Sequence, residues 1–538
     1  MKSPVKHEAN SKPEPVDEGP VDFERAIELT GNGKFNHLLL LAMLPVCWAN
    51  VYASTSMSYI LPSAECDLEL TMVDKGLLNS MSFAGMIITS FAWGFIVDAY
   101  GRRKIMVFGF LCTAVCNLGS CFSQASWQLI VFKLVDGIII SGPYAALQSY
   151  LAEVHGEQLR AQVYMWMGVG FALGNITLSC LAWLIIPHKW TLGEFLPVTS
   201  WRLFLGLCSL PGLVASVALC FFPESPRFLM AKHRHDDALQ VFKKIYSLNT
   251  GKDPDTYPVK CLEEEETVKI TSVTFKQTVV GSLKQIQPIF LPPNVVTLVL
   301  TAFIQFGATI GSNTLKLWMP MLFAMLSVYD SKHAGGPSKT MCAKISEVPP
   351  PEPTVTGGCS DATVDATVYI NSIVISVASV IGYMVAKTLV NYVSKRILMI
   401  ICFLGAATCC FALYWGEDSR SILGISSVFV ALTSIGGTIV NNVVVDMFPT
   451  SLRTMALSVT MVIGRLGAVV GNVLFPVLLS LDCLGPFMMI GAVCFVAKVL
   501  VCTYEHLYRF YILKNKRVCV VVVVVDDVRI SSLLICIL

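Results

Sequence analysis

Apolar and polar positions along this chain fall into long alternating blocks. Apolar runs of about 19 to 29 residues recur at roughly 35–61, 76–97, 104–122, 127–150, 162–186 and 203–222. After a long polar stretch they return at about 295–323, 368–390, 397–415, 422–445, 455–479 and 484–504. Crossing the hydrocarbon core of a bilayer takes about 20 such residues, and within a single segment only a helix satisfies every backbone polar group. The pattern predicts an all-α membrane protein with twelve transmembrane helices in two six-helix bundles, 35–222 and 295–504. Residues 1–34 read as a disordered polar tail, 223–294 as a central loop with short helices, 324–367 as a loop between spans 7 and 8, and 505–538 as a second tail. Within the central loop, Ala238, Leu239, Phe242 and Ile245 recur at helical spacing and predict a surface helix over 236–248.

Composition supports this reading. Of 538 residues, 54% are hydrophobic and 14% charged, with a mean hydropathy of +0.65. Soluble domains carry about 25% charged residues, so a secreted domain or a single-anchor receptor is excluded. The net charge of +2 excludes a nucleic-acid binder. No cleavable leader precedes the first apolar run, so span 1 is expected to act as its own targeting signal. Most of the 19 cysteines sit inside apolar runs, and none has the flanking histidines of a zinc site. No glycine loop with its lysine cradles a nucleotide, and no nucleophile has a placed base. An enzyme is not expected, nor a metal, nor a cofactor. Cys342 and Cys359 share the 324–367 loop; a disulfide between them is one expectation, two free thiols the other.

Lysine and arginine in short loops collect on the cytoplasmic side. Arg102, Arg103, Lys104, Arg160, Lys395, Arg396 and Arg453 fall on one side, while Lys75, Lys189, Arg202 and Arg420 fall on the other. This places both termini and the central loop in the cytoplasm.

An internal repeat ties the two bundles together. Advancing 293 positions carries Asp98 to Asn391, Gly101 to Ser394, Arg102 to Lys395, Arg103 to Arg396, Glu153 to Asp446 and Arg160 to Arg453. Duplication of a six-helix unit explains this register. Gly101 permits a tight turn between spans. Arg102 and Arg103 are placed to donate bidentate hydrogen bonds to Glu153, and Asp98 to cap a helix N-terminus. Such a cluster can form in one conformation and break in another, which makes it a latch. The alternative, that these charges only set topology, accounts for the arginines but not for the acids or the spacing.

Gly94 to Lys104 resembles the loop signature of the major facilitator superfamily. Tyr150 to Arg160, Pro223-Glu224-Ser225-Pro226-Arg227 and Asp446 to Arg453 resemble its sugar-porter and organic-ion branch. Tyr59 to Leu68, Lys75 to Asn79 and Gly464 to Asn472 resemble the synaptic vesicle glycoprotein 2 family and its relatives. The resemblance implies a monomeric transporter of a small organic solute. Its central cavity is lined by spans 1, 4, 7 and 10, and it rocks between inward-open and outward-open states. Proton coupling, and residence in a plasma or vesicle membrane, stay open. The competing reading is a non-transporting membrane protein that uses the fold to bind partners. Asn391 and Ser394 depart from the pattern, so the second latch is expected to be weaker. Gln305 and Asn313 stand eight apart, unlike the glutamine-rich hexose pattern, which disfavours a hexose.

Ionisable groups inside a span are costly and therefore candidates for function. Lys133 and Asp136 share a face of span 4, either to meet substrate or a proton or simply to neutralise each other. Arg465 in span 11 is a candidate for an anion or for helix-end carbonyls. Asn50 and Tyr52 on span 1, Gln305 and Asn313 on span 7, and Asn441 and Asn442 on span 10 complete the set, as ligand contacts or interhelical bonds.

Overall fold

The computed structural model describes residues 20–502 except 66, 189, 193–195, 264–286, 293, 334–338, 348–364, 390–391 and 449–451. Twelve helical spans follow the predicted order. The first six are Lys34–Ala64, Met72–Tyr100, Arg102–Ser120, Ser126–Glu153, Glu157–Ile185, and a sixth broken into Ser200–Leu207 and Leu210–Leu219. Span 7 joins Asn294–Thr309 to Leu315–Lys332 through a π-helical turn at Ile310–Thr314. Spans 8 to 12 are Ala366–Leu389, Lys395–Ala412, Ser419–Met447, Arg453–Leu481 and Leu484–Cys502. Eleven of these are long and apolar enough to cross a membrane. Span 3 falls outside that group because it opens on Arg102-Arg103-Lys104, leaving a short apolar remainder. A three-residue antiparallel hairpin, Trp190–Leu192 with Leu196–Val198, interrupts an otherwise helical fold among the described residues.

Close backbone approach holds the first bundle. A Cβ on Gly85 of span 2 would strike the backbone of Leu134, and one on Gly137 of span 4 would strike that of Ser82. Small residues of this kind let membrane helices pack where lipid supplies no hydrophobic drive. Span 2 is started by a reciprocal cap: the Thr71 hydroxyl accepts from the Asp74 N–H at 3.1 Å, and the Asp74 carboxylate accepts from the Thr71 N–H at 3.1 Å.

The two halves meet through span 2 against span 11, span 5 against span 8, and span 1 against span 7. Several side chains bridge them on the face remote from Arg102. The Lys316 ammonium donates to the Asn175 amide oxygen at 2.6 Å. Tyr369 stacks on Tyr59 at 6.4 Å and donates to its carbonyl at 3.4 Å. Gly76 of span 2 lies against the Asn472 backbone and Pro476 of span 11.

On the charged face, the one that carries Arg102, the chain is more ordered than its composition suggests. The expectation of a disordered tail to residue 34 is corrected for residues 20–34; residues 1–19 lie outside the described residues. Helix α1, Phe23–Leu29, packs Phe23, Ala26 and Ile27 against helices α2, Pro226–Ala231, and α3, His235–Thr250. The Tyr257 hydroxyl donates to the Ala26 carbonyl at 2.6 Å, and the Asn249 amide accepts from the Phe35 N–H at 3.0 Å while donating to the Gly31 carbonyl at 3.0 Å. Buried apolar contacts, rather than local propensity, hold so short a helix. The predicted surface helix is α3, which ends on Gly251 at φ +73°.

The expected pairing of Cys342 with Cys359 is also corrected: Cys342 is bonded to Cys483, with Cα atoms 5.5 Å apart. Cys359 lies outside the described residues. The cause is the docking of helix α4, Met341–Ser346, on the end of the second bundle. There the Met341 N–H donates to the Gly416 carbonyl at 2.7 Å and Lys344 pairs with Asp330 at 2.9 Å. This turns Cys342 toward the connection between spans 11 and 12. Peptide mapping of unreduced protein is expected to yield a Cys342–Cys483 peptide that survives Cys359→Ser and disappears in Cys483→Ser; the latter should cost about 2–4 kcal/mol of stability.

Candidate functional site

The charged face is organised by one residue of turn. Span 2 ends at Tyr100 and span 3 begins at Arg102, so Gly101 alone reverses the chain, at φ +98°. A Cβ there would also lie 2.6 Å from the Glu224 carboxylate. Arg102 bridges Asp98 at 2.8 Å and Glu153 at 3.1 Å. Glu153 is 8% exposed and Asp98 72%, so the first contact is shielded from solvent screening and the second is not.

Arg103 does not reach Glu153 as expected. Its guanidinium donates to the Cys220 carbonyl at 2.5 Å, and its backbone N–H to Glu224 at 2.9 Å. Among the described residues Asp98 caps no neighbouring helix and pairs with Arg102. Glu224 accepts the Ser225 N–H at 3.0 Å as well, and the Ser225 hydroxyl donates to Glu153 and accepts from the Phe228 N–H at 3.2 Å, capping α2. The Tyr150 hydroxyl donates to the Pro223 carbonyl at 2.9 Å. The Pro223 to Arg227 motif is therefore a strap that closes the network. Glu224 and Ser225 were visible as a motif but not as members of this network.

Arg160 serves a different contact. It donates to the Ala152 carbonyl at 2.7 Å, to the His155 carbonyl at 3.1 Å, and to Glu24 of α1 at 2.7 Å and 2.8 Å. Its counterpart 293 positions on, Arg453, donates to the Phe448 carbonyl at 3.0 Å. Phe448 is itself the counterpart of His155, so the repeat extends to a single hydrogen bond. Ser394 replaces Gly101 with a different solution: extended backbone and a hydroxyl that caps span 9 by accepting from the Ile397 N–H. Lys395 and Arg396 open that span. Asn391 and the side chain of Asp446 lie outside what the structure describes.

Within the first bundle, Lys133 and Asp136 are 3.3 Å apart and each is about 1% exposed. The Lys133 ammonium also donates to the Asn117 amide oxygen at 2.9 Å, to the Ser56 hydroxyl at 3.2 Å and to the Ala53 carbonyl at 3.5 Å, while Asn117 donates to Asp136 at 3.4 Å. Spans 1, 3 and 4 are thus tied by a closed polar network. Asn117 and Ser56 were not singled out from the sequence, because small polar residues are common in spans.

The remaining candidates separate by whether they have partners. The Tyr52 hydroxyl donates to Thr177 at 3.2 Å. The oxygens of the Gln305 and Asn441 side chains are buried without a partner among the described residues. Asn50 and Asn313 are half-buried and Asn442 is exposed; none of these three amides is hydrogen-bonded among the described residues. Asn313 sits on the π-helical turn of span 7, a distortion that often marks functional positions. Arg465 is half-buried in span 11 and has neither hydrogen bond nor ion pair among the described residues. It lies within electrostatic reach of Tyr144 on span 4, whose hydroxyl accepts from Gln148 at 2.9 Å. The neighbouring Gly464 faces Gln305 and Thr309 of span 7. Tyr144, Gln148 and Thr309 were missed; the i, i+4 polar pair on span 4 was the available signal.

The Sugar (and other) transporter family matches residues 41–336, and the Major Facilitator Superfamily matches residues 362–515. The chain belongs to the sugar (and other) transporter family of the major facilitator superfamily. It is a multi-pass membrane transporter working by alternating access, not an enzyme. Synaptic vesicle glycoprotein 2B of Rattus norvegicus is 23% identical over an alignment of 572 positions that covers 87% of this chain and 83% of that one. Synaptic vesicle glycoprotein 2C of Homo sapiens is 32% identical over 230 positions, 42% of this chain and 32% of its own. Among solved structures, the partially occluded inward-open xylose transporter XylE of E. coli superposes with a TM-score of 0.62 at 16% identity, covering 87% of this chain and 99% of that one. The crystal structure of a D-xylose-proton symporter scores 0.62, also at 16% identity, covering 87% and 97%. At that identity the likeness concerns the fold.

Gly101→Ala combines a disfavoured positive φ with a collision against Glu224. It is expected to cost about 1–3 kcal/mol and to lower the thermal midpoint of the purified protein, whereas Gly437→Ala, where a Cβ meets nothing within 4 Å, leaves it unchanged.

Proposed function

We propose that the transported solute is a small organic anion and that Arg465 receives its negative group. The observation behind this reading is the missing partner. A charge at the centre of a span costs about 2.5–3.5 kcal/mol on insertion scales; Lys133 is paired with Asp136, Lys75 with Glu65 at 2.5 Å, and Lys316 is hydrogen-bonded to the Asn175 amide oxygen. Arg465 is left with the hydroxyl of Tyr144 nearby and the amide of Gln305 beside the adjoining glycine. A guanidinium is a planar fork of donors that matches a carboxylate in two bonds. A neutral sugar, such as the xylose of the structurally similar transporters, would leave that charge uncompensated.

In this reading the charged face is cytoplasmic, in keeping with its arginines. The bridges at Lys316 and Tyr369 close the opposite side. The Arg102 to Glu153 network acts as the latch of the first half, and the partner-rich Lys133–Asp136 pair positions span 1 rather than meeting solute. Arg465 carries the recognition step.

Uptake by protein reconstituted in liposomes, measured across organic anions, cations and sugars, is expected to show anion transport, with Arg465→Gln lowering kcat/KM at least about 10-fold at unchanged thermal stability. Cation or sugar uptake that Arg465→Gln leaves intact overturns the assignment. Asp136→Asn is expected to destabilise the fold by about 3–5 kcal/mol by stranding Lys133, and Lys133→Met with Asp136→Leu to recover most of that loss. A stable Asp136→Asn protein whose uptake has lost its pH dependence would instead make Asp136 the coupling acid.

A further inference from the structure

A cavity of about 640 Å3 opens on the charged face, away from the space between the halves. The start of span 3 forms one wall, and α2 and α3 form the other. Its ionisable lining is Arg103, Lys104, Arg234, Lys244, Glu224 and Asp237. The two acids are already committed: Glu224 to the N–H groups of Arg103 and Ser225, and Asp237 to Arg234 at 2.6 Å. Lys104 and Lys244 are exposed and have no hydrogen bond or ion pair among the described residues. The cavity therefore presents two uncommitted ammonium groups, one from a membrane span and one from a surface helix.

A second feature continues from the first. Lys104 heads a face of span 3 on which Phe108, Leu111, Val115 and Leu118 follow at intervals of four, three, four and three residues. These four are 64%, 39%, 60% and 46% exposed. In a helix that crosses a bilayer, an exposed apolar stripe is a surface for acyl chains. Phe108 belongs both to the stripe and to the cavity lining, so the lipid-facing surface runs without a break into a cationic recess. A soluble anion would use only the recess; a phospholipid uses both.

We propose that this recess binds the headgroup of an anionic phospholipid of the phosphoinositide class. Its phosphates are held by Lys104 and Lys244, and its acyl chains lie along Phe108, Leu111 and Val115. Basic pockets beside spans on the cytoplasmic side suit such headgroups, and the volume is too large for a lone phosphate. The cytoplasmic leaflet as the source rests on the orientation argued above. Because Glu224 belongs at once to this wall and to the Gly101 turn, the bound lipid braces span 3 against α3 next to the latch.

Delipidated full-length protein in detergent is titrated with phosphatidylinositol 4-phosphate, phosphatidylserine, phosphatidylcholine and water-soluble inositol 1,4-bisphosphate, with native mass spectrometry counting bound lipid. Saturable binding of one phosphatidylinositol 4-phosphate is expected, with affinity at least about 10-fold above phosphatidylcholine, phosphatidylserine between them, and the soluble headgroup weaker than the lipid. Lys104→Gln with Lys244→Gln should remove that preference while the protein stays monodisperse; Lys252→Gln, beyond the end of α3, should keep it. Phe108→Ser should weaken the lipid and leave the soluble headgroup unchanged. Equal lipid affinity in wild type and the double lysine variant overturns the site. Equal affinity for lipid and soluble headgroup overturns the lipid as occupant. The readout is binding, so it stands or falls independently of what Arg465 transports.

Discussion

A charge inside lipid must bring its own partner, and much of this structure follows from that demand. Lys133 is met by an acid, an amide, a hydroxyl and a carbonyl, drawn from three spans; satisfying one ammonium thereby fixes how spans 1, 3 and 4 sit together. Glu153 gathers Arg102 from one span end and Ser225 from the strap after span 6. In each case a polar group too costly to leave alone becomes the point where separate helices are registered. Arg465 matters because the same rule leaves it incomplete.

The two halves answer one architectural problem with different chemistry. The first turns on a glycine in a left-handed conformation and locks the turn with a carboxylate. The second turns on a serine in extended conformation and caps the next helix with its hydroxyl. Both end the following loop with an arginine donating to a carbonyl five residues before it. What duplication preserved is the geometry of return; the bonds that stabilise it diverged.

The fold was legible because membrane solvent imposes so few options: a long apolar run can only be a helix, and short loops fix neighbours. The repeat singled out Gly101, Arg102 and Glu153, and the structure brings Arg102 against Glu153. Other contacts escaped because they depend on tertiary geometry that spacing does not encode. Glu224 lies 121 residues from the N–H it caps on Arg103. Cys483 sits at a span boundary, where a lone cysteine carries no pattern. Helix α1 is too short to announce itself and exists because Phe23 and Ile27 find a buried surface on α2 and α3. Tyr144 reads as an ordinary aromatic until span 11 places an arginine near it.

The Cys342–Cys483 bond joins positions 141 apart in the sequence, and spans 8 to 11 all lie within the ring it closes. Both cysteines belong to the second half, so that half carries a covalent girdle, and among the described residues no disulfide crosses the boundary between halves. Along that boundary the directional bridges described are a lysine held by a neutral amide and a tyrosine held by a carbonyl. Rigidity has been invested in the body that moves, and reversibility left to the seam along which it moves.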